Sequence, residues 1–224
     1  MKKHLVAPEL WRFALQGSDA LNVYLAGDVL IDAGTPSAAR KLIAALRPHP
    51  VGAHALTHAH FDHQGSSHAV CEAFGVPLWC GAGDREAAEA GDPTRLLPRP
   101  DGWVARLSRP WAGPGHPVAR VLTDGDRAGN FTVVETPGHT PGHLAFWRER
   151  DRVLVLGDVL FHRNPVTRRL GLREPFGLAT RDPIANRESA RKLAAMEPAI
   201  VCFGHGPPLT DVASFQRFVA ELPR

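Results

Sequence analysis

Short apolar runs alternate with amphipathic segments along the whole chain. Residues 21–27 and 29–34 are apolar or alternate in polarity, and they meet at Gly27-Asp28, which predicts a β-hairpin. Residues 36–50 carry apolar side chains at spacings of three and four, which is typical of a helix with one buried face. Residues 52–58 then form a short apolar run that predicts a buried strand.

The same alternation continues to the C-terminus. Further helices are predicted at 67–75, 84–91, 182–198 and 210–222, with Asp182 and Thr210 or Asp211 as candidate N-caps. Further strands are predicted at 77–81, 118–126, 130–139, 143–150, 152–161 and 199–206. Strands that alternate with helices in this way predict an α/β fold.

Residues 92–118 differ from the rest of the chain. They are rich in proline and glycine, they contain Trp103 and Trp111, and no single period covers them. Two interpretations stay open for this segment: an irregular surface connection, or a loop that covers a substrate.

Composition limits the class of protein. A chain of 224 residues with 44% hydrophobic and 22% charged residues can form one domain, which we expect to span residues 1–224. The net charge is +3, but there are only four lysines and the arginines are scattered, so we expect no nucleic-acid partner.

The three cysteines and the apolar segments indicate the compartment. Cys71, Cys80 and Cys202 are odd in number and far apart, which argues against a disulfide framework. Residues 1–15 lack the apolar core of a signal peptide, and no apolar run is long enough to cross a membrane. We therefore expect a soluble cytoplasmic protein without membrane contact.

The stretch THAHFDHQG at 57–65 crowds four candidate metal ligands into six positions. His58 and His60 are two residues apart at a predicted strand end, so in an extended backbone they point to the same side and can share one ion. Asp62 and His63 follow where the chain must turn, and they can face a second ion. Imidazole and carboxylate groups suit a borderline divalent cation.

Three more candidate ligands follow predicted strands later in the chain. His139 lies in PGHTPGH, Asp158 follows the apolar run LVLG, and His205 lies in CFGHGPP. A lone histidine is more often a packed or surface residue than a ligand. Seven such residues at repeated strand ends instead favour one shared metal site.

The motifs THAHFDH, PGHTPGH, LGD and FGHG resemble the pattern of the metallo-β-lactamase superfamily in order and spacing. The resemblance covers nearly the whole chain. It implies a four-layer αββα sandwich of two mixed β-sheets with the site at the edge between them. It also implies that His58, His60 and His139 hold one metal, that Asp62, His63 and His205 hold the other, and that Asp158 bridges the two.

The ligand types predict metal-assisted hydrolysis. Two divalent ions roughly 3.5 to 4 Å apart can share a water and lower its pKa toward neutrality. Asp62 can orient that nucleophile and pass its proton to the leaving group. We expect two zinc ions, with iron or manganese as alternatives.

Other residues are candidates for supporting roles. Asp32, in IDAG, is either an outer partner that orients a ligand histidine or a turn-forming aspartate. His143 and Thr140 are predicted as turn and outer-partner residues rather than ligands. A separate set is predicted for the wall of a substrate pocket: Trp103, Trp111, Phe161 and His162.

The substrate is the least determined feature. GDVLF resembles the corresponding element of glyoxalase II, but HRNPVTRR follows it in place of a glycine- and cysteine-rich stretch. We expect a hydrolase of a small ester, thioester or lactone, with a small-molecule substrate and a homodimer as a possible assembly. A β-lactamase is disfavoured. The alternatives are a mononuclear-iron sulfur dioxygenase acting on persulfides and a catalytically idle metal-binding or nucleic-acid-binding module.

Overall fold

Two β-sheets form the centre of the computed structural model, which describes residues 1–15 and 17–224. The first sheet has seven strands in chain order: β1 Lys2–Ala7, β2 Leu10–Ala14, β3 Asn22–Ala26, β4 Val29–Ile31, β5 Ala53–Ala55, β6 Leu78–Gly81 and β7 Val118–Leu122. Strands β1 to β4 pair antiparallel, and β4 to β7 pair parallel. This sheet is therefore mixed, as predicted.

The second sheet has five strands in the order β14, β11, β10, β9, β8. Their bounds are β8 Arg127–Ala128, β9 Phe131–Glu135, β10 Leu144–Arg148, β11 Val153–Val155 and β14 Ile200–Cys202. Only β11 and β14 pair parallel, so the C-terminal ends of these two strands lie at the same edge of the sheet. A separate hairpin is formed by β12 Phe161–Arg163 and β13 Leu170–Arg173.

Helices cover the outer face of each sheet. The seven helices of the described residues are α1 Ala39–Leu46, α2 Phe61–Gln64, α3 Ser67–Phe74, α4 Arg85–Ala90, α5 Trp103–Ser108, α6 Pro183–Ala195 and α7 Val212–Ala220. None of these seven helices is both long enough and apolar enough to cross a bilayer.

Three apolar layers hold the elements together. The layer between the sheets contains Tyr24 and Ile31 of the first sheet against Phe146 and Val155 of the second. Outside the first sheet, side chains of α1 and α3 pack on β2, β3 and β4. Outside the second sheet, side chains of α6 and α7 pack on β9, β10, β11 and β14. Each sheet is apolar on both faces, which confirms the predicted αββα sandwich.

Local sequence signals explain where several helices begin and end. Gly75 and Gly91 adopt left-handed conformations at the ends of α3 and α4, a backbone geometry that glycine adopts at low cost. The Asp182 side chain accepts hydrogen bonds from the backbone N–H groups of Ile184 and Ala185 at the start of α6. Asp211, rather than Thr210, caps α7.

Two regions differ from the sequence-based prediction. Residues 92–118 contain regular structure: a 3-10 turn at Pro93–Leu96, the short helix α5 and a second 3-10 turn at Arg109–Trp111. These elements are too short to produce a visible hydrophobic period. The sequence pattern therefore did not predict them. The N-terminal hairpin β1–β2 and the hairpin β12–β13 were also not predicted.

Candidate metal centre

The side chain of Asp158 lies at the centre of a ring of imidazoles. Its Oδ2 atom is 3.1 Å from Nε2 of His205 and 3.3 Å from Nε2 of His63. Nε2 of His139 and Nε2 of His58 lie 3.7 Å and 3.9 Å from the same oxygen. Four nitrogens from three separate segments therefore converge on one carboxylate oxygen.

The seven predicted ligands form three overlapping groups. In each group the ligand atoms lie within 4.8 Å of one another, close enough to share an ion. The groups are His58, His60 and His139; Asp62, His63 and His205; and His58, His63 and Asp158. The structure thus brings together every residue that the resemblance implied as a ligand.

Strand ends position these side chains. β5 ends at Ala55, and the chain leaves the sheet through His58 and His60 before the short helix α2 carries Asp62 and His63. His139 follows β9, and the parallel neighbours β11 and β14 end just before Asp158 and His205 respectively. Because the ends of both sheets meet here, residues distant in sequence reach one point.

Gly204, directly before His205, packs so closely against Asp158 and His63 that no side chain fits there. A Cβ atom on Gly204 would collide with Oδ1 of Asp158 and would lie 2.8 Å from the ring of His63. Only a residue without a side chain lets β14 deliver His205 beside the carboxylate.

Several buried atoms of the cluster have no hydrogen-bond partner among the described residues. They are Nε2 of His58, His60 and His63, and Oδ1 of Asp158. Buried polar atoms are rarely left unpaired, since each one costs free energy. Nitrogen and carboxylate atoms of this kind fit a borderline divalent cation, so the residues present suit divalent metal ions.

Hydrogen bonds on the far side of each ring orient the histidines. Nδ1 of His63 lies 2.8 Å from Oδ2 of Asp32. Nδ1 of His58 lies 3.0 Å from the hydroxyl of Thr57, which donates in turn to Asp32. With Nδ1 engaged in this way, Nε2 of each ring points toward Asp158.

The other two rings are held in the same manner. Nδ1 of His205 lies 2.6 Å from the backbone oxygen of Ala20, and Nδ1 of His139 lies 3.1 Å from the hydroxyl of Thr180. Nδ1 of all four rings is therefore engaged, and all four Nε2 atoms face the cluster.

Asp32 has both features proposed from the sequence: it lies in a turn-like conformation, and it contacts a ligand histidine. Its backbone has φ of 62°, a turn-like conformation that is uncommon for a residue with a side chain, and the residue is buried. That conformation directs its carboxylate to His63 and Thr57.

Burial and neighbouring charges set the protonation of the cluster. Burial and the surrounding imidazoles lower the pKa of His58 well below its ordinary value. Burial also lowers the pKa of His205, but Asp158 and Asp62 outweigh it and raise the pKa to about 10. Burial raises the pKa of Asp62, but His63 and His205 bring it down to about 2. Both carboxylates of the cluster are ionised at neutral pH, as the pKa of Asp158 also lies well below its ordinary value.

Asp84 supports the site and was not identified from the sequence. Its carboxylate accepts hydrogen bonds from the backbone N–H of Ala59 at 2.8 Å, the backbone N–H of Gly142 at 2.7 Å and the hydroxyl of Thr140 at 2.8 Å. Burial raises its pKa to about 6 against these hydrogen bonds. Asp84 joins the segment of His58 and His60 to the segment of His139, and no motif in the sequence marks it.

His143 connects the segment of His139 to the backbone of Asp158. Its Nε2 atom accepts a hydrogen bond from the backbone N–H of Asp158 at 3.1 Å, and its Nδ1 atom lies 2.8 Å from the hydroxyl of Thr136. Both ring nitrogens are therefore occupied, which leaves His143 as an outer partner.

A cavity of about 250 Å³ opens over the cluster. Its floor contains five of the predicted ligands: His60, Asp62, His139, Asp158 and His205. Its wall is mostly apolar and is formed by Phe61, Pro93, Leu97, Val104, Ser108, Phe161, Pro165, Val166, Phe176 and Ala179. Most of these residues belong to the segments 92–118 and 161–179, where the sequence carries no motif.

The four predicted pocket residues lie in different surroundings. Phe161 is buried in the cavity wall, with its ring centroid 4.6 Å from that of His205. Trp103 and Trp111 are 64% and 63% exposed and line neighbouring depressions. His162 is half-buried, and its Nδ1 atom lies 2.8 Å from the backbone oxygen of Pro207. Of the four, Phe161 lines the cavity over the cluster.

Two proteins of known sequence resemble the chain. It is 32% identical over 217 residues to the probable metallo-hydrolase YflN of Bacillus subtilis, covering 87% of this chain and 80% of YflN. It is 28% identical over 161 residues to the hydroxyacylglutathione hydrolase GloC of Haemophilus influenzae, covering 67% of this chain and 66% of GloC.

Two solved structures are similar to the whole fold, and a family model covers most of the sequence. TTHA1623 in a di-iron-bound form has a TM-score of 0.71 at 31% identity, covering 92% of this chain and 96% of that one. The B3 metallo-beta-lactamase BLEG-1 has a TM-score of 0.72 at 28% identity, covering 92% and 95%. Residues 19–205 match the family model of the metallo-beta-lactamase superfamily. The chain therefore belongs to the metallo-beta-lactamase superfamily, as a metallo-hydrolase.

Proposed function

We propose that this protein hydrolyses a small thioester, ester or lactone with an apolar acyl group, and that it uses two zinc ions. The observation that carries the proposal is the convergence of four imidazole nitrogens and Asp62 around Asp158 at the floor of an apolar cavity. Two divalent cations held there would supply an activated water and would polarise the substrate carbonyl.

The complete second ligand group favours two cations over one. Nε2 of His63 is buried without a hydrogen-bond partner among the described residues, and it lies within 4.8 Å of the ligand atoms of Asp62 and His205. A single cation at His58, His60 and His139 would leave the group of Asp62, His63 and His205 without an ion. This argues for hydrolysis at a binuclear site over the alternative of a mononuclear-iron dioxygenase.

Asp62 is the residue placed to handle a proton. Its side chain is 22% exposed and lines the cavity, whereas the side chain of Asp158 is 4% exposed. One oxygen of Asp62 lies 3.4 Å from Nε2 of His205, which leaves the other free to orient a water or to carry a proton to the leaving group.

The cavity wall supports an apolar acyl group. Leu97, Val104 and Phe176 present hydrocarbon surface above the cluster, and the described lining contains no lysine or arginine. Burying apolar surface contributes about 25 cal/mol per Å² to the free energy of binding. Such a wall therefore binds an apolar acyl chain better than a charged acyl chain. The named activity of GloC, hydroxyacylglutathione hydrolysis, adds support for a thioester.

The test is a substrate panel on zinc-loaded protein with the Asp62→Asn variant as its control. The panel contains a thioester, an ester, a lactone and a β-lactam, each acyl substrate in short-chain and longer-chain forms. We expect hydrolysis of at least one of the first three and a loss of activity of at least about 100-fold in the variant, in the range of general acid–base contributions. Oxygen uptake with a persulfide, or salt-sensitive nucleic-acid binding without hydrolysis, would contradict the proposal.

A further inference from the structure

A second group of potential metal ligands lies outside the cluster around Asp158. His68 and Glu72 lie four residues apart on α3, so their side chains project from the same face of the helix. His116 lies near the end of the segment 92–118, two residues before β7 begins at Val118. None of these three residues takes part in the function proposed above.

The ligand atoms of the three residues are arranged for one ion. Nδ1 of His68 lies 3.2 Å from Nδ1 of His116, and the two ring centroids are 5.4 Å apart. One ligand atom of each of the three side chains lies within 4.8 Å of the other two. Both rings are half-buried and the carboxylate is exposed, so the site opens to solvent on one side.

The carboxylate of Glu72 is free to bind an ion. Among the described residues it has no ion-pair partner and accepts no hydrogen bond, although the chain carries 26 lysines and arginines. Two imidazoles and one carboxylate form a ligand set that borderline transition-metal ions prefer, with remaining positions open to water.

Close backbone packing fixes the position of His116. Its N–H donates to the backbone oxygen of Ala88 at 3.2 Å. A Cβ atom on Gly113 would collide with the backbone of Gly65, and one on Gly115 would collide with the backbone of Glu89. The two glycines let the segment lie directly against the turn before α3 and against α4, so His116 is presented to His68 by rigid structure.

We propose that His68, Glu72 and His116 form a third metal site that binds one borderline divalent cation and ties α3 to the end of the segment that lines the cavity. The same segment contributes Leu97 and Val104 to the cavity wall. An ion at this site cross-links two parts of the chain that are 44 residues apart, from Glu72 to His116, and restrains the wall from its C-terminal end. The proposal stands independently of the reaction at Asp158.

The experiment is equilibrium dialysis of the full chain against Zn²⁺, followed by elemental analysis. The variants are His116→Gln and Glu72→Gln, and His4→Gln is the matched control because His4 is an exposed histidine on β1. We expect the parent and the control to bind one more zinc per chain than His116→Gln. We also expect Glu72→Gln to weaken the extra site by at least about tenfold.

The parent and His116→Gln should differ by one zinc per chain, whatever number of zinc ions binds at Asp158. This test therefore stands even if the cluster around Asp158 does not bind two metals. Glu72→Gln changes an exposed side chain, and it decides the matter if His116→Gln does not fold. Added zinc should also slow amide exchange across residues 103–116 in the parent and in His4→Gln only. Equal zinc content in the parent and both variants would overturn the proposal.

Discussion

The cluster around Asp158 and the wall of the cavity above it are built in opposite ways. The cluster residues lie on the short connections and the helix α2 that follow buried strands, and the rings of His58, His63, His139 and His205 are each fixed by a hydrogen bond at Nδ1. The wall comes from a six-residue helix, 3-10 turns and a small hairpin, with exposed apolar side chains such as Leu107 and Val166.

This difference separates chemistry from specificity. Reactive groups need fixed positions, which the ends of a two-sheet core provide. Substrate contacts need only a shape, which short surface elements can vary without disturbing the core. Changes in the cluster should therefore affect metal content and rate, and changes in the wall should affect the choice of substrate.

The largest effect is expected from removing the central carboxylate. Asp158→Ala deletes the oxygen that four imidazole nitrogens face, so zinc content should fall by at least one equivalent relative to the parent. The loss of activity should exceed the roughly 100-fold upper range of changes in outer partners. Elemental analysis and the hydrolysis assay are made on the same samples, with the exposed Asp101→Ala as control. A variant that retains the full zinc content of the parent would show that Asp158 does not bridge.

Removing the metal should destabilise the cluster edge. Chelation leaves buried nitrogens and carboxylates without a partner, and it removes the stabilisation that a bound ligand provides, about 2.7 kcal/mol when the ligand is at 100 times its Kd. We expect the thermal unfolding midpoint to fall on chelation and to recover when zinc is added back. An unchanged midpoint would indicate that the residues do not hold metal in the folded state.

A smaller effect is expected from the outer partner of His63. Asp32→Asn removes the charge that orients His63 and Thr57 while preserving the shape, which should weaken metal affinity or activity by about 10- to 100-fold. Asp28→Asn, at an exposed turn position nearby, serves as the control. Zinc competition with a chelator gives the affinity, and equal affinities in the two variants would assign Asp32 to the turn alone.

The smallest effect is expected at the cavity wall. Val104→Phe narrows the cavity, and since a methylene difference in an apolar pocket is worth about 10- to 200-fold, kcat/KM for long acyl chains should fall at least about tenfold. Short-chain substrates and zinc content should be unaffected. Leu107→Phe, which is 65% exposed on the same helix, is the control. Equal losses for short and long chains would show that the wall does not select the acyl group.

The sequence predicted the cluster better than the wall for a physical reason. His58, His60 and Asp158 follow apolar strands, and a polar ligand type directly after a buried strand can be recognised without knowing the fold. Asp84 carries no such signal, because its partners are backbone groups at Ala59 and Gly142 that only the folded chain brings near.

The wall residues could not be found in the same way. Val104 and Leu97 are ordinary apolar residues in short turns, and their role depends on where the segment 92–118 lies on the core. Trp103 and Trp111 are the conspicuous residues of that segment, yet they are mostly exposed. Aromatic character alone therefore does not indicate which side chains face the cluster.

The most direct test of the binuclear site is anomalous X-ray diffraction from crystals of the zinc-loaded protein, measured at the zinc edge. Within the cluster, the account predicts two peaks roughly 3.5 to 4 Å apart, one beside His58, His60 and His139 and the other beside Asp62, His63 and His205, with Asp158 between them. A single peak at the first group, with the second group empty at saturating zinc, would contradict it.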